Sequence, residues 1–185
     1  ILYSNDKVFS FKIKSFKWES QELGVSDKVI KPFTPLEVSN NTVKTILRKH
    51  TLASSGLLSQ VNALGENILA RPMTLKLTSG GKLVNWKFDQ LRFINKQAHK
   101  VEAEAKGRAG VISYKALITF DYDGFIWIKT DLSSPQKVKI DSLSLSIPLK
   151  SKYCTLMHAF ADRIRNNPSG YIPKGYGKVW DSKNI

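Results

Sequence analysis

The sequence has a single cysteine, Cys154, among 185 residues. One thiol can neither close an internal disulfide nor form a multi-cysteine metal site, and beside apolar neighbours it reads as a small packed side chain. Histidine is scarce too. His50, His99 and His158 stand far apart without the i,i+4 spacing of a helical metal pair, so neither a metal nor another cofactor is expected. No stretch approaches the ~18 consecutive apolar residues of a membrane span. No glycine-rich phosphate loop occurs, because Gly80-Gly81, Gly107 and Gly110 lack the required spacing and a following helix. The start, Ile1-Leu2-Tyr3, carries no initiator methionine and no basic or apolar signal region. The numbering is therefore expected to begin inside a longer product, which leaves export open.

Acidic side chains are few as well: 15 Asp and Glu against 29 Lys and Arg, a net charge of +14. Such a surface favours anionic partners, whether nucleic acid, acidic glycan or anionic lipid. The basic residues are scattered, however. Lys12, Lys14, Lys17, Lys137 and Lys139 sit in strand-like stretches, and no run of five basic residues or nucleic-acid-binding motif appears. Lysine on strand faces and edges is also a common guard against edge pairing. Nucleic acid is not the favoured partner.

What the chain does have is alternation of period two. Ile112, Tyr114, Ala116, Ile118, Phe120 and Tyr122 alternate with Ser113, Lys115, Leu117, Thr119 and Asp121, the pattern of a strand with one face in a core. Asp123-Gly124 supplies a tight turn, and Ile126, Ile128, Thr130 and Leu132 return from it. After Ser133-Ser134-Pro135-Gln136 a third run ends in Ile147-Pro148-Leu149-Lys150. This predicts a three-strand antiparallel meander over 110–150. Further strands are predicted at Phe9–Lys14, at Val43 through His50, from Gly56 to Val61, and at Ile68–Ala70. Others follow at Met73–Leu77 with a return through Leu83, Trp86 and Phe88 after Gly80-Gly81, at Leu91–Ile94 and at Val101–Ala105. The fold class is all-β: an antiparallel β-sandwich of about ten or more short strands with at most one short helix. Residues 1–150 form the sandwich. Residues 151–185 form an aromatic, Gly/Pro-rich tail loop that completes it or leads onward.

In that tail, Leu156, Met157, Phe160 and Ile164 have roughly helical spacing over 153–166, although the breakers Pro168, Gly170 and Pro173 favour a loop. A Cys154-His158 dyad would require the helix. Asp121 and Asp123 share strand parity and could serve as paired carboxylates, but Asp before Gly in a turn is accounted for by turn chemistry. With His158 they define the only independent hydrolase reading. Trp86 and Trp127, inside strands, are expected in the core. Trp180, Tyr171 and Tyr176 in the tail could offer flat faces to a sugar ring.

Several segments resemble a known family. They are Gly56-Leu57-Leu58-Ser59-Gln60-Val61, then Gly65 with Ile68-Leu69-Ala70-Arg71-Pro72-Met73, and Phe120-Asp121-Tyr122-Asp123-Gly124-Phe125. Leu143 to Lys150 and Tyr153-Cys154-Thr155-Leu156-Met157-His158 follow. From about residue 43 onward they are similar to the N-terminal β-sandwich region of bacterial proteins related to glycoside hydrolase family 123. The resemblance implies a sandwich preceding a (β/α)8 barrel that holds the acids for substrate-assisted hydrolysis of an N-acetylhexosaminide. It also implies a periplasmic or extracellular, secreted parent, and a strand end with a loop in place of the 153–166 helix. No catalytic residue of the family can be carried onto this chain.

The expected function is thus a non-catalytic accessory domain of a glycoside-hydrolase-like exported bacterial protein, supporting a catalytic barrel. Carbohydrate is the parent's expected partner, and His158, Tyr171, Tyr176 and Trp180 are the candidate glycan-binding residues, since binding groups concentrate in loops on a rigid scaffold. The alternative is a free-standing basic module for acidic polysaccharide or nucleic acid.

Overall fold

A computed structural model describes residues 12–16, 18–19, 26–158 and 169–175. The chain is built of antiparallel sheets, with no α-helix among the described residues. The first sheet is a meander of β1 (Glu37–Ser39), β2 (Thr42–Thr45), β3 (Arg48–Leu52), β4 (Leu58–Ala63) and β5 (Glu66–Asn67), paired in that order. Tight links turn it: Asn40, Leu47 and Leu64 all have positive φ, and Gly65 follows Leu64 at φ 88°. Two consecutive left-handed residues match the twist of a two-residue hairpin loop.

The second sheet carries the longest strands. β10 (Lys100–Ala109) and β11 (Ile112–Asp121) pair over ten rungs, from Lys100↔Asp121 to Ala109↔Ile112. On the far side of β11 lies β12 (Ile126–Ser133). On the far side of β10 lie β8 (Lys87–Phe88) and β9 (Arg92–Lys96). The predicted alternation holds along β11: Ile112, Tyr114, Ala116, Ile118 and Phe120 are buried, and their sequence neighbours are not. Together with Val101, Ala103 and Ala105 of β10 and Val43 and Leu52 of the first sheet, they form the main core. The two sheets therefore face each other as a β-sandwich. Fully burying a side chain such as Phe120, Ile118 or Leu52 contributes about 1.5–3 kcal/mol each. Alanines in the middle of this face let the layers approach closely. A Cβ on Gly56 would lie 2.6 Å from Ile118 Cδ1 and 3.0 Å from Ala105 Cβ.

A third, smaller sheet joins β6 (Thr74–Ser79), β7 (Lys82–Leu83) and β13 (Ser142–Ser146) in the order β13-β6-β7. Leu57, Leu69 and Met73 make a satellite cluster that reaches Leu75 of β6 and Ile128 of β12, tying this sheet to the sandwich. Last come β14 (Leu156–His158) and β15 (Ser169–Tyr171), a two-stranded ladder.

Several expectations are corrected. The meander exists as β10-β11-β12, but the third predicted run does not pair with β12: after Ser133 the chain leaves the sheet, and β13 pairs with β6. The single strand through Val43 and His50 is two strands, because Leu47 at φ 60° reverses the chain. The return from Gly80-Gly81 splits, β7 staying with β6 while β8 crosses to β10. In place of a helix at 153–166 there is a 3₁₀ turn at Ser151–Tyr153 and then β14; residues 159–166 lie outside the described residues. Of the predicted first strand, residues 9–11 lie outside them too, and residues 12–16 are not strand.

Candidate functional site

Two of the acidic candidates, Asp123 and Asp141, use their carboxylates structurally. Asp123 Oδ1 accepts the amide of Phe125 at 2.8 Å, and the Asp121 carbonyl accepts Gly124 N–H at 2.9 Å, which together build the β11–β12 turn. Asp141 Oδ2 accepts Gly81 N–H at 2.8 Å and so pins the Gly80-Gly81 turn. Two carboxylates that the sequence reading passed over, Glu102 and Glu104, lie two residues apart on the outer face of β10, and the Lys-Val-Glu-Ala-Glu-Ala-Lys alternation was the signal for them. Hydrogen bonds from Lys100 and Asn95 hold Glu102 below the usual carboxylate range, and those from Lys106 and Lys115 do the same for Glu104. A general acid needs a raised pKa, so this pair is wrong for acid–base hydrolysis.

The histidines are equally separate. His50 is buried, with Nε2 at 3.3 Å from Thr45 Oγ1. Burial first, and the Arg48 charge second, lower its pKa to about 4. His99 lies 3.4 Å from Asp27, and His158 is on β14. Among the described residues no three His, Cys, Asp or Glu side chains gather as a metal site. The Cys154-His158 dyad loses its basis as well: an i,i+4 pair shares a face on a helix, and here the two are separated by the end of a 3₁₀ turn and a strand.

Of the four predicted glycan-binding residues, the structure brings two together. β14 and β15 pair as Leu156↔Tyr171 and His158↔Ser169. Opposite residues share a face, so His158, Leu156 and Tyr171 present one surface with His158 and Tyr171 on its diagonal. Tyr171 is 83% exposed and Leu156 66%, an uncommon openness for such side chains. The ladder is held at its base. Ile172 N–H donates to Thr155 O, while Lys152 Nζ and Tyr153 OH reach Glu66 Oε2 on β5 at 2.7 and 3.1 Å. Tyr176 and Trp180 lie outside the described residues.

A second aromatic surface was assigned to the core by sequence reasoning. Trp86 does pack against the core, edge-on to Tyr114. Trp127 points the other way: it is 59% exposed, and Phe125 beside it is 55% exposed, with their ring centroids 6.5 Å apart and planes within 24°. Parity decides this. Ile126, Ile128 and Leu132 face the core, so Trp127, Lys129 and Asp131 must face outward. Four residues along β12, roughly 13 Å away by strand rise, Asp131 enters a groove of about 500 Å³. Lys106, Arg108, Lys115 and Ser133 also line it.

The chain carries the sequence signature of a family model described as glycoside hydrolase 123, third domain, matched over residues 36–185. It belongs to that family. The match begins at Leu36, the first residue of the sandwich core, and takes in both aromatic surfaces. That description counts the domain third, where the resemblance implied an N-terminal one. A search of curated proteins returned no match.

Proposed function

We propose that this chain is the non-catalytic β-sandwich domain of an exported bacterial glycoside hydrolase 123 protein. It supports the catalytic barrel and lends exposed aromatic side chains to a glycan lying across the domain boundary. Membership of the glycoside hydrolase 123 third-domain family carries the reading. In support, Asp123 and Asp141 brace turns, and lysines hold Glu102 and Glu104 below the usual carboxylate range. The strands from Glu37 to Ser146 are the scaffold, and the ladder of Leu156–His158 with Ser169–Tyr171 presents the binding side chains. His158 and Tyr171 supply the contact surface on this side, and Tyr176 and Trp180 remain sequence candidates for the same role. The parent is placed in the periplasm or outside the cell, where its polysaccharide is met. Against an electrostatic module, Lys44, Lys100, Lys106, Lys115 and Lys152 each sit within an ion pair to a glutamate. A carboxylate beside each of these ammonium groups competes with an anionic ligand for it.

The test is isothermal titration of the chain with N-acetylhexosamine oligosaccharides, repeated with Tyr171→Ala and His158→Ala. Binding that weakens at least about tenfold in Tyr171→Ala, as the loss of one stacking aromatic implies, is the expected result. Equal affinity in that variant removes the tail surface from the proposal. Oligonucleotide binding that falls steeply with added salt would instead favour the basic module.

A further inference from the structure

We propose that the outer edge of β13 is a self-association site, at which two copies of this chain join their three-stranded sheets antiparallel about a two-fold axis at Ser144. Three independent features converge on this strand. Among the described residues nothing pairs with its outer edge, since the small sheet runs β13-β6-β7 and β13 is the end strand. Its apolar side chains are left half covered: Leu143 and Leu145 are each 49% exposed and Ile147 51%, although Leu77, the rung partner of Leu143 on β6, is fully buried. Finally, charge is missing where it is normally placed. Exposed edge strands are usually guarded by Lys, Pro or a bulge against pairing with another chain. Here Ser142 to Ile147 holds no charged residue and no proline, in a chain with 29 basic and 15 acidic side chains.

The backbone is also oriented for it. Lys150 N–H donates to Ile68 O, and Ala70 N–H donates to Pro148 O. In an antiparallel ladder, successive residues turn their amide and carbonyl to opposite sides. Leu77 gives its carbonyl to Val84 N–H on the β7 side, so Thr74, Lys76 and Thr78 turn theirs towards β13, opposite Ser146, Ser144 and Ser142; Asp141, just before the strand, also donates inward, to Thr78 O. The amides and carbonyls of Leu143, Leu145 and Ile147 then stand at the outer edge, where a second strand would meet them.

A second copy is the occupant because the segment is its own complement. Ser142-Leu143-Ser144-Leu145-Ser146 reads identically in both directions. Antiparallel pairing about Ser144 sets Leu143 of one copy against Leu145 of the other in both flanking rungs, each a pair that exchanges two backbone hydrogen bonds. Ser142 meets Ser146, and Ser144 meets itself. Leucine lies beside leucine on the core-side face and serine beside serine on the other. Such an isologous contact closes after two subunits. The result is a six-stranded sheet in the order β7-β6-β13-β13-β6-β7. Like charges are kept out of the contact itself, and the +14 carried by each copy acts at longer range, where salt screens it.

Sedimentation velocity of the 185-residue chain, from micromolar to sub-millimolar and at low and high salt, reads the outcome. The expected result is a monomer–dimer equilibrium that tightens with salt. Ser144→Lys and Ser144→Glu each set like charges against each other across the axis and should weaken dimerisation by about tenfold or more. Ser144 is exposed in the free chain, so both variants keep the monomer fold. An equimolar mixture of the two should recover the dimer as a heterodimer, which a merely structural effect would not produce. A wild-type chain that stays monomeric at every concentration and salt overturns the proposal. So do variants that dimerise as wild type does, or a mixture that recovers nothing.

Discussion

At the scale of single residues, the most informative is His50. Its pKa in the fold, about 4, lies below the ordinary 6.5, because burial among Val43, Phe120 and their neighbours disfavours the imidazolium. The unfolded chain therefore takes up a proton on this group before the folded one does. His50 contributes its stability fully above pH 6.5 and loses it as pH falls from there towards 4. Urea midpoints at pH 7.5 and 4.5 should differ for the native chain, by the equivalent of about 1–3 kcal/mol, and His50→Leu should flatten much of that difference. Tyr114 offers a cleaner deletion. Its buried hydroxyl donates to Ser55 O at 2.7 Å, so Tyr114→Phe leaves a buried carbonyl short of one bond. A loss of about 1 kcal/mol in equilibrium unfolding is expected. Gly56 is constrained twice, by φ 79° and by Ile118 Cδ1 against the site of a Cβ. Backbone strain and overpacking act together there, and Gly56→Ala should cost about 2–4 kcal/mol in the same measurement. Neither His50 nor Gly56 stands out in the sequence. Their burial depends on which strand faces them.

Among elements, the β11–β12 hairpin was legible, because strict alternation and Asp123-Gly124 are local signals, although the link spans Tyr122 to Phe125 and Gly124, not Asp123, takes the positive φ. The β13 run was equally legible as a strand, but its partner was not. A strand's residues specify which of its faces is apolar, whereas the sheet it joins depends on a connection whose path is a tertiary matter. The same limit explains Trp127. Aromatic residues in strands favour burial on average, yet on β12 the parity of Ile126, Ile128 and Leu132 had already claimed the inner face. Trp127→Ala should therefore leave the thermal midpoint within the small range of surface substitutions, about 0.5 kcal/mol in equivalent stability. Thermal unfolding followed by circular dichroism checks this. A large fall would contradict the outward placement of Trp127. The candidate site was half legible. His158 and Tyr171 could be named from composition and loop character, but their placement on one face of a β14–β15 ladder required a register that no local pattern encodes.

For the whole molecule, the excess of basic groups is a global property with a global consequence. Ion pairs such as Glu104 with Lys106 and Lys115 offset repulsion locally, but the net +14 remains and repels itself across a small body. Raising salt at neutral pH should increase the thermal midpoint by screening that repulsion, before any effect of dimerisation at high concentration. A midpoint that falls with salt would show that the ion pairs outweigh the net repulsion. The sequence by itself determined the class: period-two patterning in short runs punctuated by turn residues permits little but an antiparallel β-sandwich, and a single cysteine cannot close a disulfide within the chain. It also determined the family, since the segments from Gly56 to His158 that carry the resemblance lie within the matched domain. Only the tertiary structure decided which strands share a sheet, which tryptophan faces water, and which carboxylates are held by lysines. Those outcomes depend on contacts between residues distant along the chain, and alternation alone, which repeats every two residues, cannot distinguish one distant partner from another.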